Sequence, residues 1–301
     1  MRPVASGGLR VVSAVDHHGQ MLVVVLWVMG LVSLAVGGVA ARSMHELRLG
    51  QVPLELVQAH AIAEAGLYQA IALIELDDPA VDHLQETWAT GIDPDTHAQL
   101  LAAVPVGLGV FSVGVEGEAG LQPGLIDEER KLHLNSDAAT VDALRQLIAA
   151  VALPGVDAQA VATAIVAWRT SCEELPAPCH GGGLDTVEEL LLVPGVTPEL
   201  FTQLEPSVTV HSSEAVNVNT APAVVLTALD CDGAALVEQR RPQPDGNGPF
   251  ASPPAQCPAT VVSSTAFTVP ITTTLSQRSG RTIRLRAVID RSGRVLAWVL
   301  R

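Results

Sequence analysis

The run MLVVVLWVMGLVSLAVGGVAA, residues 21–41, decides how the rest of the chain is read. It carries no charge. As a helix rising about 1.5 Å per residue it spans about 30 Å, the hydrocarbon thickness of a bilayer. Gly30, Ser33, Gly37 and Ala41 place small side chains at helix-packing spacing. Arg2 and Arg10 precede the run, and Arg42 and Arg48 follow it, so flanking charge does not set an orientation.

Three readings compete for this segment. A secretory signal would be shorter and end in a small-x-small site, for which Val39-Ala40-Ala41 is a candidate. A plain membrane anchor requires only the apolar run. The third reading uses the leader, whose polar residues end abruptly at His17-His18-Gly19. A glycine just ahead of a long apolar helix, with the cut on the polar side, is the pattern of prepilin processing, in which the helix is kept.

Working outward, the apolar pattern continues into LELVQAHAIAEAGLYQAIALIEL, residues 54–76. Leu56, Ala63, Leu67, Ala70, Ile71 and Ile74 fall on one stripe of a 3.6-residue period. The expectation is one long helix, part in the membrane and part amphipathic outside it. Residues 77–105 read as acidic and irregular. Val110–Val115 alternates as a strand, and Lys131–Leu134 as a second, with Asp127-Glu128-Glu129-Arg130 as its turn. Helix patterns then follow at 138–151, 157–169, 185–192, 197–204, 221–229 and 233–241. Thr197-Pro198-Glu199 has the cap, first-turn proline and acid of a helix start. After a Pro/Gly-rich loop at 242–258, strands return in 265–300, with Thr282–Ile289 and Val295–Leu300 joined by the turn Arg291-Ser292-Gly293-Arg294.

Strands on both sides of a helical block make that block an insertion in an α+β domain. The expected divisions are a leader at 1–19, the long helix at 20–76, a first sheet portion at 77–134, the all-α insertion at 135–241, and a closing loop and strands at 242–301. The insertion carries a weak internal repeat. Leu134-Asn135-Ser136 and Val218-Asn219-Thr220 each open a helix pair, and the pairs end near Arg169 and Arg240.

Composition excludes several chemistries. The 301 residues carry a net charge of −15. Lys131 is the only lysine, so no phosphate loop ending in Gly-Lys-Ser/Thr exists. Residues 51–270 hold 29 acids against 6 bases, whereas residues 271–301 hold 7 arginines against Asp290. The acidic balance opposes nucleic-acid binding, which needs a basic face. No H-E-x-x-H, G-x-S-x-G or complete G-x-G-x-x-G occurs, and no convergent catalytic cluster is visible.

Cys172, Cys179, Cys231 and Cys257 all follow the apolar run. The first two flank one Pro-containing loop and the last two another, so two local disulfides compete with free buried thiols. Disulfides would place residues 42–301 in an oxidising compartment, the periplasm of a Gram-negative cell. Two acidic stretches offer oxygens for calcium: Glu173 and Glu174 with Asp185, Glu188 and Glu189, and Asp230-Cys-Asp232-Gly233. A solvated loop and a turn compete with those readings. The Pro194-Gly195-Val196 hairpin within 188–201 is helix-hairpin-helix-like, but its flanks are acidic, which favours a packing role over a phosphate contact.

Taken together, VVVLWVMGLVSL, AEAGLYQAIALI, DEERKLHLNSDAA, AIVAWR, VEELLLVPGVTPELFTQLEPSVTVHS and NVNTAPAVVLTAL resemble, in the same order, the general secretion pathway K proteins. These are large minor pseudopilins of the type II secretion system. The resemblance implies a pilin-like fold, with a long helix and an antiparallel sheet, carrying the inserted all-α domain. It implies prepilin peptidase cleavage between Gly19 and Gln20 and methylation of the new terminus. It also implies a non-enzymatic tip subunit that caps and initiates the periplasmic pseudopilus for export of folded proteins. Its partners would be I- and J-type minor pseudopilins and the major pseudopilin, at the inner membrane. Most pilins carry glutamate at the fifth mature position, where this chain has Val24. Family members bind calcium in the insertion, which directs attention to Glu173, Glu174, Asp185 and Glu188. The competing readings are a type IV minor pilin and a membrane-anchored helix-hairpin-helix DNA-binding protein.

Overall fold

The structure, a computed structural model, describes residues 17–117, 120–151, 153–170, 180–242, 248–275 and 282–300. Helix α1 (His17–Glu75) runs through two compact units that divide between Val57 and Gln58. In the first unit, Met21–Ser43 is long and apolar enough to cross a membrane. Its side chains are open to the surroundings, with Leu34 78% and Trp27 68% exposed. So continuous an apolar surface is unfavourable in water and suited to lipid.

The second unit begins with the last turns of α1. Ala59, Ile62, Ala63, Leu67, Ala70 and Ile74 are buried, the spacing of a single helix face. Leu56, expected on that stripe, is exposed, and burial starts at Ala59 instead. There follow α2 (Thr87–Thr90), β1 (Val104–Val106), β2 (Gly109–Gly117), β3 (Gly120–Pro123), β4 (Ile126–Asp127) and β5 (Leu132–His133). Next come α3 (Val141–Val151), α4 (Ala158–Thr170), a 3-10 turn (Val187–Leu192) and α5 (Pro198–Leu204). Then come β6 (Val208–Thr209), β7 (Val216–Asn217), α6 (Ala223–Ala228), α7 (Gly233–Gln239) and β8 (Thr260–Val261). The chain closes with β9 (Ala266–Leu275), β10 (Thr282–Asp290) and β11 (Val295–Leu300).

The main sheet is antiparallel in the order β1-β2-β9-β10-β11, with β3 on β2 and β4 on β9. Phe111 lies opposite Thr273 and Val113 opposite Ile271, so strands from before and after the helices pair directly. The end of α1 packs on this sheet. A Cβ on Gly66 would sit 3.0 Å from the Phe111 ring, so the close approach of helix and sheet depends on a missing side chain. Trp88 fills the same core and meets Phe267 edge-on at 5.1 Å.

A second core is built by α3 to α7 around Leu144, Leu147, Ile165, Leu190, Leu200, Leu226 and Leu236. Thr197 caps α5 by accepting the Leu200 N–H, and Pro198 occupies its first turn. The strand expected at Lys131–Leu134 pairs only at Leu132–His133, and it pairs parallel with β6 rather than in the main sheet. The expected turn at 127–130 is also different. Asp127 belongs to β4, and Asp127, Glu128 and Glu129 are all buried.

Candidate functional site

The two halves of the helical region are held by matching contacts. Arg169 donates to the carbonyls of Leu134, Ser136 and Ala139, and Arg240 donates to Val218 at 2.5 Å. The Asn135 side chain binds both backbone groups of Leu184, each at 2.8 Å. Asn219 does the same to Phe250, at 3.0 and 2.8 Å. The strand before each asparagine pairs parallel with a later one, β5 with β6 and β7 with β8. The repeat therefore recurs as a geometry: strand, asparagine clamp, and an arginine returning to the strand's end.

Between these halves and the sheet lies a buried acidic knot. Asp127 accepts from Thr220 at 2.5 Å, Ser264 at 2.7 Å, Asn217 at 3.3 Å and the Glu129 N–H at 2.8 Å. Burial, reinforced by the neighbouring Glu129, pushes its carboxyl up to about 8. Glu128 receives Lys131 and Thr268, each at 2.5 Å, and Thr209. Burial would raise it, but the Lys131 ammonium and these hydrogen bonds hold it below the usual glutamate range. Glu129 accepts from Thr265 at 2.5 Å and from the Ser213 N–H at 3.0 Å. Three consecutive acids thus tie β4 and β9 to the segments around β6 and β7.

A second polar junction lies just past α1. Arg291 bridges Asp77, at 3.1 Å, and Asp82, and it also lies 5.3 Å from the centre of the Phe267 ring. Asp82 is wholly buried and accepts the Ser264 N–H at 2.6 Å. Burial lifts its carboxyl to about 7, against the lowering effect of Ser264 and Arg291. Asp77, Asp82 and Glu86 bring carboxylate oxygens within 4.8 Å of one another. The guanidinium already occupies two of them, and the Glu86 carboxylate accepts from Trp88 at 2.8 Å. The chemistry here is a latch between the helix end and the β10–β11 turn. Nothing in the sequence marks it, because its members are separated by up to 214 positions.

The expected site residues fall in separate places. Gly19 and Gln20 lie within α1. Val24 is an exposed apolar side chain on the same helix. Cys231 and Cys257 form a disulfide, with Cα atoms 5.5 Å apart. Cys172, Cys179, Glu173 and Glu174 lie outside the described residues. Asp185 and Glu188 are exposed and line a cavity of about 190 Å³ with Glu128, Glu205 and His211. Glu128 is committed to Lys131 and Glu205 to Arg286. Asp185 and Glu188 together fall short of the six to eight oxygens calcium takes, so Glu173 and Glu174 would have to supply more. The Pro194-Gly195 hairpin packs inward: Val193 and Val196 are buried, and Gly195 abuts Val161.

Comparison with known proteins follows this geometry. Residues 124–213, which contain the knot and the first asparagine clamp, match the family model for type II secretion system protein K. The fold is similar to a chain of the GspK-GspI-GspJ complex from the type 2 secretion system of enterotoxigenic Escherichia coli. The TM-score is 0.61 at 19% identity, covering 83% of this chain and 98% of that one. No curated protein sequence matches the chain. The likeness to type II secretion protein K is therefore carried by residues 124–213, and the likeness to the solved complex is one of fold.

Proposed function

We propose that this chain is the tip subunit that caps and initiates the periplasmic pseudopilus. The observation that carries the reading is Val24. Counted from a cut after Gly19, it occupies the fifth mature position, where most pilins place a glutamate. In ordinary subunits that carboxylate neutralises a neighbour's terminal amine within the membrane, where unpaired charge is costly. A subunit with valine there offers no such partner, which suits the first subunit, with nothing above it.

The rest of the reading is consistent with that position. Residues 1–19 are the leader removed by prepilin peptidase, and Gln20 becomes the methylated terminus. The apolar helix stays in the inner membrane, and the bulk of the chain lies in the periplasm, whose oxidising chemistry agrees with the Cys231–Cys257 bridge. Residues 135–241 form a largely helical insertion with helix-hairpin-helix-like units, not the all-α one expected, because the short strands β6 and β7 lie within it and pair with β5 and β8, and this insertion gives the tip its bulk. I- and J-type minor pseudopilins and the major pseudopilin are the partners. GspK itself crystallised with GspI and GspJ. Calcium would sit on the 173–188 segment. The role is assembly rather than catalysis.

The test is to co-express the tagged full chain with I- and J-type subunits, isolate the membranes and identify what is retained. Recovery of both partners, a methylated Gln20 terminus by mass spectrometry, and loss of pseudopili when the chain is deleted are expected. A terminus near Arg42, or pseudopili of normal number without the chain, would overturn the reading.

A further inference from the structure

The basic C-terminal strands have no part in the reading above. Arg284 and Arg286 stand two residues apart on β10, opposite Thr272 and Pro270 of β9. The intervening Leu285 and its partner Ile271 are buried in the core beneath α1. Side chains alternate along a strand, so both arginines project from the other face of the sheet. Two adjoining depressions open on that face and share Val115, Pro270 and Arg286. One, of about 270 Å³, is edged by Glu116 and Arg284. The other, of about 360 Å³, is lined by Ile126, Arg130, Lys131, Glu205 and Pro206.

The charges in this groove do not all cancel. Lys131 is bound to Glu128, and Arg286 to Glu205 at 2.5 Å. Arg284 and Arg130 have no ion pair among the described residues, and the Arg130 Nε is buried without an acceptor. Arg130 feels the neighbouring Asp127 and Glu128, so the exposed Arg284 is the guanidinium most open to a ligand, and the groove lining holds Arg130, Lys131, Arg284 and Arg286 against Glu116 and Glu205 in a chain whose net charge is −15.

We propose that this groove binds an extended acidic segment of another polypeptide. Guanidinium groups match carboxylates in two-point geometry. Carboxylates of an extended peptide would meet Arg284 in one depression and the Arg130 guanidinium in the other, and apolar side chains alternating with them would rest on Val115, Ile126, Pro206 and Pro270. Glu116 and Glu205, together with the acidic remainder of the chain, oppose a phosphate polymer, which would also leave the apolar lining unused. The proposal does not depend on the tip position.

The test uses the full chain in detergent micelles and fluorescence anisotropy of a labelled decapeptide of alternating glutamate and valine. Binding is expected, with about tenfold loss in Arg284→Glu and a similar loss in Arg130→Gln. Raising salt from about 50 to about 300 mM should also weaken it. Arg284 is exposed, so its variant keeps the melting profile of the parent and reports on the groove alone. Equal affinity for a lysine–valine decapeptide would overturn the proposal. So would unchanged binding in Arg284→Glu. Displacement by inorganic polyphosphate at concentrations no higher than unlabelled peptide would instead mark a phosphate site, and would overturn it as well.

Discussion

Replacing Asp127 with asparagine should make the protein progressively more stable than its parent as pH rises. Asp127 is 1% exposed and accepts hydrogen bonds from Thr220, Ser264 and Asn217. Its folded pKa of about 8 stands well above the ordinary value of 3.8. The folded state therefore holds a proton that the unfolded chain releases. That contribution is fully present below about pH 4 and is lost as pH climbs toward 8. The slope for one such group is about −1.4 kcal/mol per pH unit. Asparagine keeps the shape of the protonated acid and cannot ionise, so it removes this slope. Between pH 5 and pH 7 the variant should gain about 3 kcal/mol relative to the parent. His133 and His211, whose pKa values burial lowers, contribute the opposite trend at acid pH, but they do so in both proteins and cancel in the difference. The assay is urea unfolding at several pH values, followed by the fluorescence of the buried Trp88 and Trp168. A stability difference that stays constant across that range would refute a protonated Asp127 in the knot.

Three further substitutions probe the helical region. Cys257→Ser opens a bridge spanning 26 positions, and loop entropy puts the loss at about 3.5 kcal/mol, read as a lower urea midpoint. A midpoint unchanged both by the substitution and by reductant would contradict a stabilising bridge. Asn219→Ala strips both backbone partners from Phe250 and should cost about 2 kcal/mol, with Asn135→Ala costing a similar amount at Leu184. If only one of the pair lowers stability in thermal unfolding, the two clamps are not energetically equivalent.

What the sequence reveals and what it conceals follow from the distance over which each signal acts. The apolar run and the periodicity through Ile74 are local and were readable directly. The repeat was readable because each Asn-Ser/Thr pair and each closing arginine keeps its order along the chain. The acids at 127–129 misled, because three consecutive carboxylates are normally solvated. Their hydroxyl partners Thr209, Thr220, Thr265 and Thr268 lie 81 to 140 positions away. The Asp82–Ser264–Arg291 latch had no local signal at all. The Lys131–Leu134 alternation correctly indicated extended backbone, but alternation cannot name the strand's partner. Of the expected site residues, Cys231 and Cys257 meet, and Asp185 and Glu188 line one cavity, while Glu173 and Glu174 lie outside the described residues.

The pairing of β2 with β9 also bears on how the molecule comes into being. Phe111 cannot find Thr273 until some 160 further residues have been synthesised. Until then β2 is an unsatisfied strand edge and the face of α1 from Ala59 to Ile74 has no floor. Such non-local closure is slow and leaves the nascent chain prone to mispairing. The helical segment between them can collapse early on its own local contacts. That brings the ends of β4 and the start of β9 toward each other and shortens the loop that must be closed. The three buried acids at the end of β4 would then lock only when residues 264–268 arrive, which makes closure of the sheet a late step in folding.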